Sequence, residues 1–273
     1  MSLPIQLIST DFDGTFFAER EAPPVPASLE ALIGEMQAQG AKWVVNTGRD
    51  LGSVRHSLKM AQLAIAPDFM VTVEREIHCL EGDEYLPAHD WNQSCTLEHQ
   101  ALFERVRPDL ADLYAWVNER FEAMVYEDAY SPFCLTARTN QDADRIHDYL
   151  NAYCEGVPNL TVVRNDIYAR FSHAAYNKGT AMAEIARRLG VRRERVFAAG
   201  DHLNDLPMLS LEHAGYVMAP SNAVPAVKEQ VRRQHGYISD QPWGHGVAAG
   251  LEHYRRNGDV SVATSAPPGA TQG

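Results

Sequence analysis

The sequence predicts an α/β fold: a core built on a parallel sheet, divided by an inserted α+β module. Three observations carry this. Short apolar runs alternate with amphipathic helical segments over residues 5–73, the rhythm of βαβ units. That rhythm gives way to several strand-like pieces between about 80 and 172. It then returns from about 177, and in both outer segments polar, chemistry-bearing residues stand just beyond the predicted strands.

Residues 5–9 read as a buried strand running into LISTDFDGTFF (7–17). Leu29, Leu32, Ile33 and Met36 recur at helical spacing, with Pro26 and Ser28 suited to the start of that helix and Gly40 to its end. Residues 43–45 form a second strand that stops at NTGR (46–49), a helix follows over 51–63, and 69–73 is a third strand. Two short runs, 77–80 and 84–87, flank EGD and predict a hairpin. The middle segment predicts helices over 97–107, 109–119 and 142–153 and strands over 122–127, 133–137, 160–164 and 168–172. Met182, Ile185, Ala186 and Leu189 then mark a helix, 196–200 a strand, 205–212 a short helix, 216–219 a strand, and 224–234 and 246–256 two closing helices. The expected division is a core over 1–80, an inserted domain over 81–172, the rest of the core over 173–257, and a disordered tail over 258–273, rich in Ser, Ala, Pro and Gly.

Of the 273 residues, 45% are apolar, enough for a sizeable core, and the formal net charge is −12. That charge argues against general nucleic-acid binding. The arginines at 187, 188, 192, 193 and 195 read as a solvated helix end and loop. The four cysteines form no CxxC pair, which speaks against a disulfide framework or a thiolate metal site. No secretory leader and no membrane-spanning run is visible, so a cytoplasmic protein without a membrane partner is expected. Oligomeric state is not legible.

In a strand of period two, Asp11 and Asp13 leave the same face, and Gly14 permits a tight turn directly after them. Ligands of open parallel sheets bind beyond the carboxyl ends of the strands. Thr47, Gly48 and Arg49 also follow a strand, as do Asp201, Asn204 and Asp205 of GDHLND (200–205). Lys178 opens a helix, and both a lysine and a helix N-terminus favour anions. Several carboxylates gathered with one lysine, one threonine and free N–H groups suit Mg2+ and a phosphate group, an arrangement for phosphoryl transfer.

These residues resemble the haloacid-dehalogenase-like (HAD) superfamily of phosphohydrolases. The DxDGT motif is Asp11–Thr15, the second motif ends at Thr47, the third is Lys178, and GDxxND is Gly200–Asp205. The insertion between the second and third motifs matches the class with an α/β cap there (type IIB). Within it the chain is most similar to the sucrose-phosphatase-like and Cof-like branch, through VEREIHCLEG (73–82), Asp90–Trp91 and GHGVAAGLEHY (244–254). It departs from the Cof-like pattern at Glu74–Arg75, where Asn-Gly is usual.

The resemblance implies a Rossmann-like core and a Mg2+-dependent sugar-phosphate phosphatase acting through an aspartyl-phosphate. Asp11 would be the nucleophile, and Asp13 the general acid and base. Thr47 and Lys178 would assist catalysis and, with Gly48, Arg49 and Asn222, hold the substrate. Asp11, the backbone carbonyl of Asp13, Asp201 and Asp205 would hold Mg2+, with Asn204 supporting them. The partner would be a small phosphate ester. Glu74, Arg75 and the cap strands are candidates for specificity, Trp91 and Trp116 for sugar platforms, and His202 and His245 for the pocket rim. A sugar phosphomutase of the phosphomannomutase type and a non-catalytic phosphometabolite-binding protein are the alternatives.

Overall fold

Two sheets organise the computed structural model, which describes residues 4–257. The larger runs β12-β11-β10-β1-β2-β3-β4-β5. Its strands are β1 (Leu7–Thr10), β2 (Lys42–Asn46), β3 (Phe69–Thr72), β4 (Glu76–Glu81), β5 (Glu84–Pro87), β10 (Val196–Ala199), β11 (Tyr216–Ala219) and β12 (Tyr237–Ile238). From β12 to β3 every neighbouring pair is parallel, and β4 and β5 add as an antiparallel hairpin.

Period two decides which residues meet which helices. Ile8, Trp43, Val45 and Phe197 pack with α1 (Ala27–Ala38), α2 (Leu51–Ala61) and α8 (Trp243–Asn257). Leu7, Val44, Val196 and Ala198 pack on the opposite face with α6 (Lys178–Leu189) and α7 (Pro225–Arg233). Both faces are therefore covered, as a parallel sheet requires.

The smaller sheet is antiparallel, in the order β6-β7-β9-β8: β6 (Ala123–Tyr126), β7 (Cys134–Ala137), β9 (Tyr168–His173) and β8 (Leu160–Asn165). Leu135, Phe171 and Val162 on one face pack against α3 (His89–Val106), α4 (Leu110–Asn118) and α5 (Asn140–Glu155). The other face presents the cross-strand row Tyr126, Cys134, Arg170 and Val163. The α/β core with its inserted α+β cap is thus the architecture the sequence predicts.

The differences are local. The hairpin Glu76–Pro87 belongs to the larger sheet, so residues 81–87, expected in the inserted domain, extend the core. Helix α3 begins at His89, not near 97. Its buried stripe is Cys95, His99, Leu102 and Val106, whose first half carries no strongly apolar signal. The helix expected over 205–212 is a single 3-10 turn, Leu203–Asp205, followed by turns. Pro207 lacks the N–H that would continue the helical hydrogen-bond ladder, although Leu206 before it still has helical backbone (φ −50°, ψ −39°). The short strand β12 is absent from the sequence reading. The tail expected over 258–273 lies outside the described residues. Among the described residues no helix is long and apolar enough to cross a membrane.

Candidate active site

Three loops leave the carboxyl ends of β1, β2 and β10, adjacent strands of the larger sheet. The first turns sharply after Thr10. Gly14 sits at φ +78°, and a Cβ there would lie 2.5 Å from an oxygen of Asp201, so the position requires glycine on two counts. Across this contact Thr15 Oγ1 donates to Asp201 Oδ1 at 2.9 Å.

The loop after β10 folds on itself through Asp205, whose Oδ2 accepts the N–H groups of Asp201 (2.8 Å) and His202 (2.9 Å). Its Oδ1 accepts from Lys178 Nζ at 2.5 Å, and the same ammonium is 2.5 Å from Asp11 Oδ1. Lys178 and Asp205 are fully buried and Asp11 nearly so. The lysine is placed by α6, whose first turn is closed by a capping box between Asn177 and Thr180. Asn46 Nδ2 donates to the Lys178 carbonyl at 2.9 Å, which ties this turn to β2.

Carboxylate oxygens of Asp11, Asp201 and Asp205 all lie within 4.8 Å of one another. Burial pushes the Asp11 carboxyl well up, Asp205 adds to this, and Lys178 opposes it. Burial and Asp205 likewise raise Asp201, to about 7. Burial disfavours the Lys178 ammonium, but Asp11 and Asp205 outweigh it and its pKa rises. One lysine set against three carboxylates, Asp11 and Asp205 buried and Asp201 half-buried, leaves an excess of negative charge, and an all-oxygen donor set of this kind fits Mg2+.

A cavity of about 250 Å3 lies between this cluster and the open face of the cap sheet. From the core it is lined by Asp11, Asp13, Thr47, Gly48, Arg49 and Glu74. Tyr126, Asp128, Asn165, Tyr168 and Arg170 line it from the cap. The cavity thus brings together Asp11, Asp13, Thr47, Gly48 and Arg49 of the residues singled out in the sequence. Lys178, Asp201, Asn204 and Asp205 do not line it.

Asp13 stands apart from the carboxylate cluster. Its two oxygens accept a forked pair from Arg49, Nε at 2.7 Å and Nη2 at 2.5 Å. Arg49 is held in turn by Ser57 Oγ (2.8 Å) and lies over the Phe12 ring. Thr47 is buried, and its Oγ1 accepts the Arg49 N–H at 3.1 Å, which leaves its own proton to donate.

Several sequence expectations are corrected here. Asn222 does not line the cavity; it donates to the Gly14 carbonyl (2.8 Å) and to Asp201 Oδ2 (3.3 Å), and so supports Asp201 from behind. Trp116 stacks on Tyr149 at 3.6 Å within the cap. Trp91 packs edge-on to Tyr176 and donates to the Arg75 carbonyl. Neither tryptophan is a platform for ligand in the cavity. His245 lines a different cavity, beside the 18–28 loop. The ring of His202 meets the Asp166 N–H of the cap at 3.2 Å.

The sequence reading passed over two groups. Thr15 enters the sequence reading only as the last residue of the DxDGT motif. Arg170 is one unnamed residue of a cap strand in that reading, yet it forms a largely buried ion pair with Glu74 at 3.1 Å. Its place on β9, on the open face of a strand of alternating pattern, is the signal that could have found it.

Comparisons with known proteins place the chain among phosphatases. A phosphoglycolate phosphatase of Methanothrix thermoacetophila is 29% identical over 149 residues, 55% of this chain and 63% of that protein. The 5-amino-6-(5-phospho-D-ribitylamino)uracil phosphatase YcsE of Bacillus subtilis is 24% identical over 92% of this chain and 96% of its own length. Among solved structures, the sucrose-phosphatase of Synechocystis sp. in complex with sucrose and phosphate superposes with a TM-score of 0.69. It is 19% identical and the match covers 92% of this chain and 98% of that one. A haloacid dehalogenase-like hydrolase from B. subtilis gives 0.64 at 19% identity, covering 91% and 99%. At these identities the likeness between structures is one of fold. The family model described as sucrose-6F-phosphate phosphohydrolase matches residues 4–255, nearly the whole of the described chain. The chain therefore belongs to the sucrose-6F-phosphate phosphohydrolase family, a phosphatase branch of the haloacid-dehalogenase-like superfamily.

Proposed function

We propose that the chain is a Mg2+-dependent phosphatase that hydrolyses a sugar phosphate through an aspartyl-phosphate on Asp11. One observation carries the reading: of the three clustered carboxylates, Asp11 alone lines the cavity. It is therefore the one carboxylate that both belongs to the cation site and meets a ligand.

An Asp11 oxygen attacks phosphorus and the bond to the sugar oxygen breaks. The leaving oxygen takes a proton from Asp13. Water then attacks the phosphorus of the aspartyl-phosphate and gives a proton back to Asp13; inorganic phosphate leaves and the Asp11 carboxylate is restored. Thr47 Oγ1 and the Gly48 N–H hold phosphoryl oxygens; the N–H groups of Thr47 and Arg49 are already engaged, by the Val71 carbonyl and by Thr47 Oγ1. Lys178 keeps Asp11 in place and offsets its charge. Asp11, Asp201, Asp205 and the Asp13 carbonyl are the groups that would hold Mg2+. The ion would neutralise charge on the nucleophile and on the phosphoryl group.

The cap side of the cavity supports a polyhydroxylated leaving group. Tyr126 and Tyr168 offer ring faces, while Asp128 and Asn165 offer acceptors and an amide donor. The family match and the sucrose-phosphatase fold likeness point the same way.

The test is a phosphate-release screen with Mg2+ over hexose phosphates, disaccharide phosphates including sucrose 6-phosphate, phosphoglycolate and nucleotides, with Asp11→Asn as control. We expect one sugar phosphate to be hydrolysed far faster than the rest, and no release by the variant. Conversion of a sugar phosphate to its isomer without free phosphate would replace this reading with a phosphomutase.

A further inference from the structure

Glu74 occupies a backbone position that a glutamate seldom takes. Val73 and Glu74 lie at φ +43° and +69°, in succession, and the first is β-branched. Such conformations cost on the order of 1–3 kcal/mol each and persist where the surroundings over-determine them. Here the turn is fastened to the loop after β2: Val73 N–H donates to the Arg49 carbonyl and Glu74 N–H to the Thr47 carbonyl, both at 2.9 Å.

What the turn achieves is the placement of one buried carboxylate between three parts of the site. Glu74 Oε1 accepts from Asn204 Nδ2 at 2.9 Å, next to Asp205 in the loop after β10. Oε2 accepts from Arg170 Nη2 at 3.1 Å, on cap strand β9. The carboxylate also lies so close to Gly48 that a Cβ there would be 3.2 Å from Oε1. A second link runs the same way, from the Asp166 N–H in the β8–β9 turn to His202. The loop that supplies Asp201 and Asp205 is thus held at His202 and Asn204 by contacts that begin in the cap.

We propose that Glu74 is a positioning residue that couples the cap to the cation-binding loop, so that docking of β9 through Arg170 and ordering of Asp201 and Asp205 through Asn204 are one event. This rests on the Mg2+ reading above. Physically, a buried carboxylate with both oxygens engaged cannot lose one partner without a penalty that re-sorts the other. With Arg170 withdrawn, Glu74 loses its direct ion-pair partner, keeps only the charge of Lys178 and the Asn204 amide, and shifts from Asn204 towards solvent. Reciprocity then requires that whatever stabilises the closed cap tightens the cation site, and the converse.

The experiment is a calorimetric Mg2+ titration of the substrate-free protein and of Glu74→Gln, Arg170→Gln and the double variant. Thermal unfolding serves as a fold control. The double variant is the safest to fold, since replacing both members of a buried pair is tolerated better than removing one. We expect Arg170→Gln, although Arg170 is not one of the clustered carboxylates or hydrogen-bonded to one, to weaken Mg2+ binding by about fivefold or more. Glu74→Gln should do the same, and the double variant no more than Glu74→Gln alone. Mg2+ binding as in the wild type by Arg170→Gln, with only KM for substrate changed, would overturn the coupling and leave Arg170 a substrate contact. Singles whose effects multiply in the double variant would overturn it too. Absence of any Mg2+ binding by the wild type would remove the metal reading itself, a result distinct from both.

Discussion

Lys178 Nζ lies 2.5 Å from Asp11 Oδ1 with no exposed surface, and its second carboxylate, Asp205, is equally close and equally buried. A single ammonium therefore holds together two carboxylates that would otherwise repel. Breaking a buried pair by removing one partner costs about 3–5 kcal/mol. Lys178→Met is expected to lose stability on that order in metal-free buffer, to recover part of it with Mg2+, and to release no phosphate. Thermal unfolding with and without Mg2+ checks this; equal melting of variant and wild type in the absence of metal would contradict it.

Gly200 is a sterically sharper probe of the same cluster. A Cβ at this position would lie 2.5 Å from Asp205 Cβ and 2.6 Å from its Oδ2, distances that real Cβ atoms do not show. Gly200→Ala must push Asp205 out of line with Lys178 and with the N–H groups of Asp201 and His202. Activity is expected to fall by about 10²-fold or more, as for small misplacements of reacting groups, with a raised Mg2+ requirement. An unchanged Mg2+ dependence would show that Asp205 does not serve the cation site.

The parts of this site that were legible in the sequence are those whose geometry follows from short-range rules. Asp11, Thr47 and Asp201 each stand just past a short apolar strand, and a parallel sheet carries all three strand ends to one edge. Lys178 is legible because it stands at the start of the helix marked by Met182, Ile185, Ala186 and Leu189. What escaped depends on long-range packing. Glu74 and Val73 adopt left-handed backbone that residue propensity argues against, so no local pattern could place the Glu74 carboxylate between Asn204 and Arg170. Helix α3 was shortened because Cys95 and His99, its first buried positions, do not count as strong apolar signals. Trp116 misled for the converse reason: a large aromatic on a cap helix suggests a sugar platform until Tyr149 is found stacked on it.

The fork between Arg49 and Asp13 bears on proton transfer. Arg49 fixes both Asp13 oxygens, at 2.7 and 2.5 Å, and is itself braced by Ser57. Arg49→Ala frees the carboxylate from that orientation. A sugar alkoxide needs a proton as it leaves, whereas p-nitrophenolate leaves without one. The variant is therefore expected to lose about 10²-fold in kcat on the preferred sugar phosphate, within the usual contribution of general acid catalysis. On p-nitrophenyl phosphate the loss should be far smaller. Equal losses on both esters would assign Arg49 to phosphate binding alone.

His99 gives the fold a pH dependence remote from the carboxylates. It is buried at the base of the cap, where its Nδ1 donates to the Cys95 carbonyl (2.7 Å) and its Nε2 accepts the His173 N–H (3.1 Å). Burial, with Arg75 adding to it, lowers its pKa from 6.5 to about 3. A depressed pKa means that the unfolded chain binds the proton more readily. The stability contributed by neutral His99 is thus fully present above pH 6.5 and is lost progressively as pH falls towards 3. Protonation would also turn a second N–H onto His173 N–H, where an acceptor is needed. The wild type should therefore melt at falling temperatures across that window, and His99→Gln, which has no titrating ring, should show a shallower slope. Parallel slopes for the two proteins would mean that His99 is not the group that titrates there.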